Sequence, residues 1–194
     1  MPVTIEPHDA LLVVDIQRDF LPGGSLGVRE GDKVIPVLNR YIALAGRHGI
    51  PVIATRDWHP ANHCSFTARG GPWPEHCVAD TAGAEFSPAL HLPDDALIVS
   101  KATRADEEAY SMFHGTGLAQ RLRDAGVDRV LIGGLAADYC VRFSVKDALE
   151  AGFEVIVLED AIRAVDVHPG DGARAVAEMK AGGAVGARLE DFAS

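Results

Sequence analysis

Short, continuous hydrophobic runs alternate with longer amphipathic stretches along this chain. Runs of this kind, bounded by polar residues, are typical of parallel β-strands that are buried on both faces of a sheet. The pattern predicts six strands, of which the last is weak, at residues 10–15, 51–57, 96–101, 129–134, 154–160 and 183–186. Several of these strands end in a charged side chain.

The stretches between the strands repeat hydrophobic residues with helical spacing, and most of them end at a glycine, which commonly terminates a helix. They predict four helices, at residues 33–48, 118–125, 138–151 and 170–180. Alternation of strands and helices indicates right-handed βαβ units. We therefore expect a three-layer α/β fold, in which an open, doubly wound, mainly parallel six-stranded sheet carries helices on both faces.

Residues 58–92 do not follow this alternation. They are rich in His, Pro, Gly and Cys and show little periodicity. A loop of this length inside a compact domain usually carries function. We therefore look for candidate chemistry in this loop and at the strand ends beside it.

Length and composition indicate one domain, residues 1–194, because 47% of the residues are hydrophobic and no linker or repeat interrupts the chain. The net charge of −10 disfavours nucleic acid as a partner. No segment approaches the roughly 20 apolar residues of a membrane helix, and the first residues do not form a secretory signal. These features predict a cytoplasmic protein with no membrane partner.

The three cysteines are Cys64, Cys77 and Cys140. An odd number in a reducing compartment argues against a disulfide framework, and we interpret Cys64 and Cys77 as buried small apolar residues. Cys140 follows a run of glycines and alanines between a predicted strand and a predicted helix, with Asp138 at or near the helix N-cap. A helix N-terminus lowers the pKa of a thiol, and its free N–H groups can hold an oxyanion. Cys140 is therefore a candidate nucleophile, with a core cysteine as the alternative.

In open α/β sheets, ligands bind at the carboxyl ends of the strands. Asp57 and His59 lie two residues apart at such an end, so both side chains can face one ion. His63 and His76 in the following loop could complete the shell. Mixed oxygen and nitrogen ligands suit one divalent metal, Zn²⁺ first, with Fe²⁺ or Mn²⁺ as alternatives. Loop histidines that only form hydrogen bonds, and a structural zinc site with two cysteines, are the competing interpretations.

A cysteine nucleophile needs a proton acceptor and a group that stabilises charge. Asp15 and Lys101, at the ends of the first and third predicted strands, are the candidates. Lys101 could also keep Asp15 ionised by pairing with it. A plain ion pair at the strand ends is the alternative for both residues.

Taken together, these residues resemble those of the nicotinamidase/pyrazinamidase branch of the isochorismatase-like cysteine hydrolases. The motifs follow the family's order along most of the chain, and their combination is far more specific than any one of them. They are Val14-Asp15-Ile16-Gln17-Arg18-Asp19-Phe20, Pro22-Gly23-Gly24-Ser25-Leu26, Asp57-Trp58-His59-Pro60 with His63, Ser65 and Phe66, Trp73-Pro74-Glu75-His76-Cys77, Lys101, and Gly134-Leu135-Ala136-Ala137-Asp138-Tyr139-Cys140-Val141.

The resemblance implies a catalytic triad of Asp15, Lys101 and Cys140. It also implies a non-proline cis peptide between Leu135 and Ala136, which would direct the backbone amides of Ala136 and Cys140 towards an oxyanion. Further roles are implied for two sets of residues. The metal ligands would be Asp57, His59 and His76, with His63 as a fourth in some members. The pocket for the substrate ring would be lined by Phe20, Leu26, Trp73, Tyr110, Leu135 and Ala136.

The activity implied by the resemblance is the hydrolysis of nicotinamide, and also pyrazinamide, to the acid and ammonia. The reaction would pass through a cysteine thioester beside a bound divalent metal and would serve NAD salvage. The expected partner is thus a small-molecule amide. Family members range from monomers to higher oligomers, so a homo-oligomer is compatible with the resemblance.

The sequence departs from the family pattern after Lys101. Ala102 stands where glycine is common, and Ala109 stands where serine is common in the segment before Tyr110. We expect both alanines to alter the outer wall of the pocket and hence the choice of substrate. The main alternative is therefore a related cysteine hydrolase that acts on another small amide or carbamoyl compound. A receiver-like protein or an inactive metal-binding scaffold is the non-enzymatic alternative.

Overall fold

A six-stranded sheet forms the centre of the computed structural model, which describes residues 3–192. The strand order is β3-β2-β1-β4-β5-β6, and every neighbouring pair is parallel. The strands are β1 Asp9–Val14, β2 Val52–Asp57, β3 Leu97–Lys101, β4 Arg129–Leu135, β5 Glu154–Arg163 and β6 Val185–Ala187. The doubly wound α/β sheet is confirmed, and the described strands make it wholly rather than mainly parallel.

Helices cover both faces of this sheet. They are α1 Val34–His48, α2 Leu118–Asp124, α3 Arg142–Glu150 and α4 Asp171–Ala181. α1 packs on the face that carries Leu11 and Val13 of β1, whereas the other three helices pack on the face that carries Leu12 and Val14. Successive strand residues point to opposite faces, so a continuously apolar β1 contributes to both cores. Within residues 3–192, no helix has the length and apolarity needed to cross a bilayer.

The turn after β4 differs from the prediction. The sequence predicts one helix over residues 138–151, whereas the structure has a π-helical turn, Ala137–Val141, followed by α3. Asp138 does not cap α3, because its carboxylate accepts hydrogen bonds of 2.9 Å from the N–H groups of Val165 and Asp166. A short π-helical turn has a wider hydrogen-bond spacing than an α-helix, so a 3.6-residue hydrophobic period does not reveal it.

Gly134 allows β4 to approach β1 closely just before this turn. It has a φ of +133°, and a Cβ at this position would lie 2.1 Å from the carbonyl oxygen of Val14. Only glycine tolerates both conditions. The order of the strands reverses between β1 and β4, because β2 and β3 extend the sheet on one side and β5 and β6 extend it on the other. In open α/β sheets, ligands bind in the crevice at such a switch point. Asp15 follows β1 and Cys140 follows β4, so both lie at this crevice.

Candidate active site

Lys101 lies at the centre of a buried cluster formed by the carboxyl ends of β1, β2, β3 and β4. Its Nζ is 3.0 Å from Oδ2 of Asp15, 2.5 Å from Oδ1 of Asp57 and 3.4 Å from Sγ of Cys140. Asp57 and Lys101 are register partners on neighbouring strands. The structure therefore brings together the three residues predicted as a triad. It adds Asp57, which the sequence predicts only as a metal ligand.

The charges of this cluster compensate one another away from water. Burial lowers the pKa of Lys101, but the carboxylates of Asp15 and Asp57 outweigh burial and raise that pKa well above its usual value. Burial raises the pKa of Asp57, but the attraction of the Lys101 ammonium acts against burial, and that pKa lies below its usual value. For Asp15, burial outweighs Lys101 and raises the pKa. Lys101 thus keeps Asp57 ionised, and its attraction for the Asp15 carboxylate acts against the effect of burial there.

The Cys140 thiol is deeply buried, with 6% of the residue exposed. Burial raises its pKa well above the usual value, although Lys101 acts in the opposite direction. The structure places Cys140 inside the π-helical turn that precedes α3, where burial acts against the lowering expected from a helix N-terminus. A carboxylate oxygen of Asp15 lies within 4.8 Å of Sγ. A protonated thiol beside an Asp of raised pKa is a suitable pair for proton transfer.

Asp57, His59 and His76 present ligand atoms within 4.8 Å of one another. Nδ1 of His59 is 3.1 Å from the carbonyl oxygen of Ala102, and Nδ1 of His76 is 2.7 Å from that of Pro74. Because a carbonyl only accepts, each Nδ1 carries the proton and each Nε2 keeps a free lone pair. Nε2 of His59 is buried without a hydrogen-bond partner and lies 3.6 Å from Oδ2 of Asp57. This donor set fits a divalent metal ion.

His63 lies beside this set, and both of its ring nitrogens contact other groups. Its ring stacks on that of His59, with centroids 4.1 Å apart. Nε2 donates to the carbonyl oxygen of Glu107 at 3.1 Å, and Nδ1 lies 2.7 Å from Oγ of Ser65. Since Nε2 carries the proton, Nδ1 accepts from the Ser65 hydroxyl. The structure therefore does not direct a free lone pair of His63 towards the other three side chains.

A small cavity connects the two groups of residues. Cys140 lies at one side of it, and the Asp57, His59 and His76 side chains lie at another. Trp73 and Tyr110 form part of its wall, where Nε1 of Trp73 donates a hydrogen bond of 2.9 Å to the Tyr110 hydroxyl. Its remaining lining consists of Phe20, Leu26, Val28, Glu108, Ala136, Tyr139 and Val165.

The peptide bond between Leu135 and Ala136 is cis, in agreement with the resemblance. The carbonyl oxygen of Ala136 accepts hydrogen bonds of 3.1 Å from the N–H groups of Tyr139 and Val141. These contacts fold the chain tightly around Cys140. The turn therefore brings the backbone of Ala136 and the side chain of Cys140 to the same cavity.

Most of the chain is similar in sequence to proteins of a known family. The isochorismatase domain family matches residues 9–191. The chain belongs to this family. It is 41% identical to the nicotinamidase of Escherichia coli over 96% of this chain and 97% of that protein. These similarities make it an amidohydrolase of the nicotinamidase type.

Solved structures of this family show the same fold. The pyrazinamidase of Pyrococcus horikoshii in complex with zinc is 55% identical, with a TM-score of 0.91 over 94% of this chain and 100% of that chain. PnC1 of L. infantum in complex with nicotinate is 37% identical, with a TM-score of 0.89 over 100% of this chain and 99% of that chain. The resemblance inferred from the motifs is thereby confirmed.

Within this isochorismatase fold, the lining of the cavity agrees only in part with the ring pocket predicted from the sequence. Phe20, Leu26, Trp73, Tyr110 and Ala136 all line the cavity, as predicted. Leu135 does not line it, because this side chain packs into the core on the α1 face of the sheet.

The two alanines that depart from the family pattern also lie outside the cavity lining. Ala102 instead adopts a left-handed backbone, with a φ of 50°, and its carbonyl contacts His59. Ala109 is buried, and its carbonyl oxygen is 3.3 Å from Nζ of Lys101. The two alanines therefore do not themselves line the cavity, and their effect on the choice of substrate stays a prediction. Glu108 and Tyr110 form this part of the wall.

Four lining residues were not predicted from the sequence: Val28, Glu108, Tyr139 and Val165. Tyr139 directly precedes the candidate nucleophile, so its position in the motif was an available signal. The other three lie in irregular segments, where no hydrophobic period marks the side that faces the cavity.

Proposed function

We propose that this isochorismatase-family amidohydrolase converts nicotinamide to nicotinate and ammonia, acts likewise on pyrazinamide, and serves NAD salvage. One observation carries the proposal. The buried ammonium of Lys101 lies 3.0 Å from Asp15 and 3.4 Å from Cys140, whose thiol lines the same cavity as the proposed metal donors. The similarity to a nicotinamidase and to a nicotinate-bound structure supports the choice of substrate.

In the first half of the reaction, Asp15 takes the proton from the Cys140 thiol. The thiolate then attacks the carbonyl carbon of the carboxamide, and the backbone amides of Ala136 and Cys140 receive the developing oxyanion. Asp15 returns its proton to the leaving nitrogen, so that the C–N bond breaks and ammonia departs. Lys101 remains protonated and stabilises the negative charge shared by Asp15 and the sulfur.

The second half of the reaction starts from the thioester that the first half leaves between the substrate acyl group and Sγ of Cys140. Asp15, now ionised, removes a proton from a water molecule that attacks the thioester carbonyl. The same two backbone amides receive the second oxyanion. Collapse of this intermediate breaks the C–S bond, releases the carboxylic acid and returns the proton to Cys140.

We propose that Asp57, His59 and His76 hold one divalent metal ion, with Zn²⁺ as the first candidate. The support is the buried, unpartnered Nε2 of His59 and the lone pairs that the backbone contacts of both histidines leave free. A zinc-containing pyrazinamidase with the same fold agrees with this choice. When bound, the ion supplies a Lewis-acidic contact for a ring nitrogen of the substrate. The protein groups around that ring bury it, orient it and exclude water from it.

Ammonia release from nicotinamide by the purified, metal-loaded protein tests the proposal. We expect the wild type and Cys64→Ala to be active, because Cys64 lies outside the cavity. We expect Cys140→Ala to be inactive, and rapid acid quenching of the wild type to trap one nicotinoyl group on Cys140, visible by intact-protein mass spectrometry. Cys140→Ala with wild-type activity would exclude the thioester route. Turnover of other amides or carbamoyl compounds, with none of nicotinamide or pyrazinamide, would exclude the proposed substrate.

A further inference from the structure

The Asp19 carboxylate joins segments that are distant in sequence. Its Oδ2 accepts a hydrogen bond of 2.8 Å from the Cys77 N–H. Its Oδ1 accepts from the Ser25 hydroxyl at 3.1 Å and from the Ser25 N–H at 3.4 Å. Within residues 3–192, no cationic side chain forms a salt bridge with it. Backbone and hydroxyl donors therefore satisfy this carboxylate in place of a cation.

Each of these contacts lies next to a residue that lines the cavity. Phe20 follows Asp19 itself, and Leu26 follows Ser25. His76 precedes Cys77 and belongs to the proposed metal donors. One carboxylate thus fixes the backbone beside three parts of the cavity wall, without lining the cavity itself.

Cys77 shows why this support matters. Its backbone is left-handed, with a φ of 46°, which is costly for a residue other than glycine. The Cys77 carbonyl oxygen accepts a hydrogen bond of 3.0 Å from the His59 N–H, while its own N–H donates to Asp19. The Asp19 contact therefore holds a strained residue between the two histidines of the proposed metal site.

Gly83 independently shows that the Asp19 carboxylate is packed closely against the backbone. A Cβ built on Gly83 would lie 2.2 Å from Oδ2 of Asp19 and 2.4 Å from its Cγ. The Asp19 carboxylate therefore lies where any side chain at Gly83 would begin. The turn Ala82–Ala84 closes over Asp19 and limits where the carboxylate can move.

We propose that Asp19 is a positioning residue, which fixes the wall of the ring pocket through Phe20, Leu26 and His76 and thereby sets the affinity for the aromatic amide. The proposal rests on the proposed function. Asp19 acts through its neighbours, because within residues 3–192 no hydrogen bond or salt bridge joins it to Asp15, Lys101 or Cys140. Its loss should therefore weaken substrate binding more than it slows the chemical steps.

Steady-state kinetics with nicotinamide on the metal-loaded enzyme test this inference. For Asp19→Ala and Gly83→Ala we expect KM to rise by roughly tenfold to a hundredfold, since small misplacements of a binding wall have effects of that size. We expect kcat to stay within about threefold, because the triad is not contacted. The KM of Asp19→Asn should lie between that of the wild type and those of the two alanine variants. Its side-chain oxygen can still accept a hydrogen bond from the Cys77 N–H, while its amide group donates to the Ser25 hydroxyl.

Gly46→Ala is the matched control for Gly83→Ala, because a Cβ at Gly46 meets nothing within 4 Å. Hydrogen–deuterium exchange supplies a readout that needs no substrate. We expect faster exchange in residues 20–27 and 76–79 of Asp19→Ala and Gly83→Ala, but not of Gly46→Ala. If Asp19→Ala does not fold, Asp19→Asn and Gly83→Ala carry the test.

Unchanged KM values in folded variants of Asp19 and Gly83 would overturn the inference, and so would a loss confined to kcat. A wild type with no activity on nicotinamide would contradict the proposed function instead. In that case, unchanged exchange in residues 20–27 and 76–79 would overturn the positioning role, and faster exchange would support it.

Discussion

Asp57 contacts Lys101 through one carboxylate oxygen and faces His59 with the other. Its Oδ1 is 2.5 Å from Nζ of Lys101, and its Oδ2 is 3.6 Å from Nε2 of His59. The parallel register of β2 and β3 places the first two residues side by side. One carboxylate therefore belongs both to the triad cluster and to the proposed metal donors, and Lys101 keeps it ionised for both.

Lys101→Met is expected to lower kcat by about a hundredfold to a thousandfold, the usual effect of removing an electrostatic stabiliser from an active site. Without the ammonium, Asp15 and Asp57 face each other in a buried site, so one of them takes up a proton. The measurement is kcat for ammonia release, with circular dichroism to verify folding. Lys33→Met, which removes an exposed lysine paired with Glu30, is the control. A Lys101→Met enzyme within tenfold of wild type would refute this role.

Removal of divalent metal by a chelator should abolish activity, and added Zn²⁺ should restore it. His76→Ala should weaken Zn²⁺ binding by about a hundredfold or more, because it removes a proposed ligand with a free Nε2 lone pair. His63→Ala should weaken it by less than about tenfold, because both nitrogens of His63 contact Ser65 and Glu107. Competition with a zinc-sensitive dye measures both affinities. Equal losses in the two variants would make His63 a ligand.

Asp9→Ala should destabilise the fold without changing catalysis. Asp9 is 1% exposed, and Nε and Nη2 of Arg129 each donate to it at 2.7 Å. The pair lies at the amino ends of β1 and β4, away from the cavity. We expect the free energy of unfolding to fall by about 2–4 kcal/mol, because a buried, bidentate pair loses one partner. Urea denaturation measures the loss, and a changed kcat/KM at a temperature where the variant is folded would contradict the prediction.

Tyr110→Phe should raise KM for nicotinamide about fivefold, because Nε1 of Trp73 loses its acceptor in the pocket wall. Ala102→Gly should leave KM within about twofold, because Ala102 lies outside the cavity lining. Its stability should change by less than about 1 kcal/mol, since relief of the left-handed backbone offsets the lost methyl group. Initial-rate kinetics separates the two variants. A larger KM effect for Ala102→Gly would restore that residue to the pocket wall.

The sheet and the proximity of Asp15, Lys101 and Cys140 could be predicted because their signals are local. Continuous apolar runs identify strands buried on both faces, and parallel strands carry their end residues to one edge of the sheet. Topology therefore makes Asp15, Lys101 and Cys140 candidates for one site. The family motifs then supply their order and chemistry.

The rest depends on contacts between segments that are distant in sequence. The sharing of Asp57 with Lys101 follows from the register of β2 and β3, which no single segment encodes. Burial by surrounding residues raises the pKa of Cys140, and the sequence around Cys140 does not reveal how deeply those residues bury it. Val28 and Val165 reach the cavity from irregular segments, whose direction is set by tertiary contacts.

Asp15, Asp57 and Lys101 carry their charges away from solvent, with at most 5% of any of them exposed. Dissolved ions screen such buried charges much less than exposed ones. The rate of the reaction is therefore expected to vary little with ionic strength, although the whole protein carries a net charge of −10.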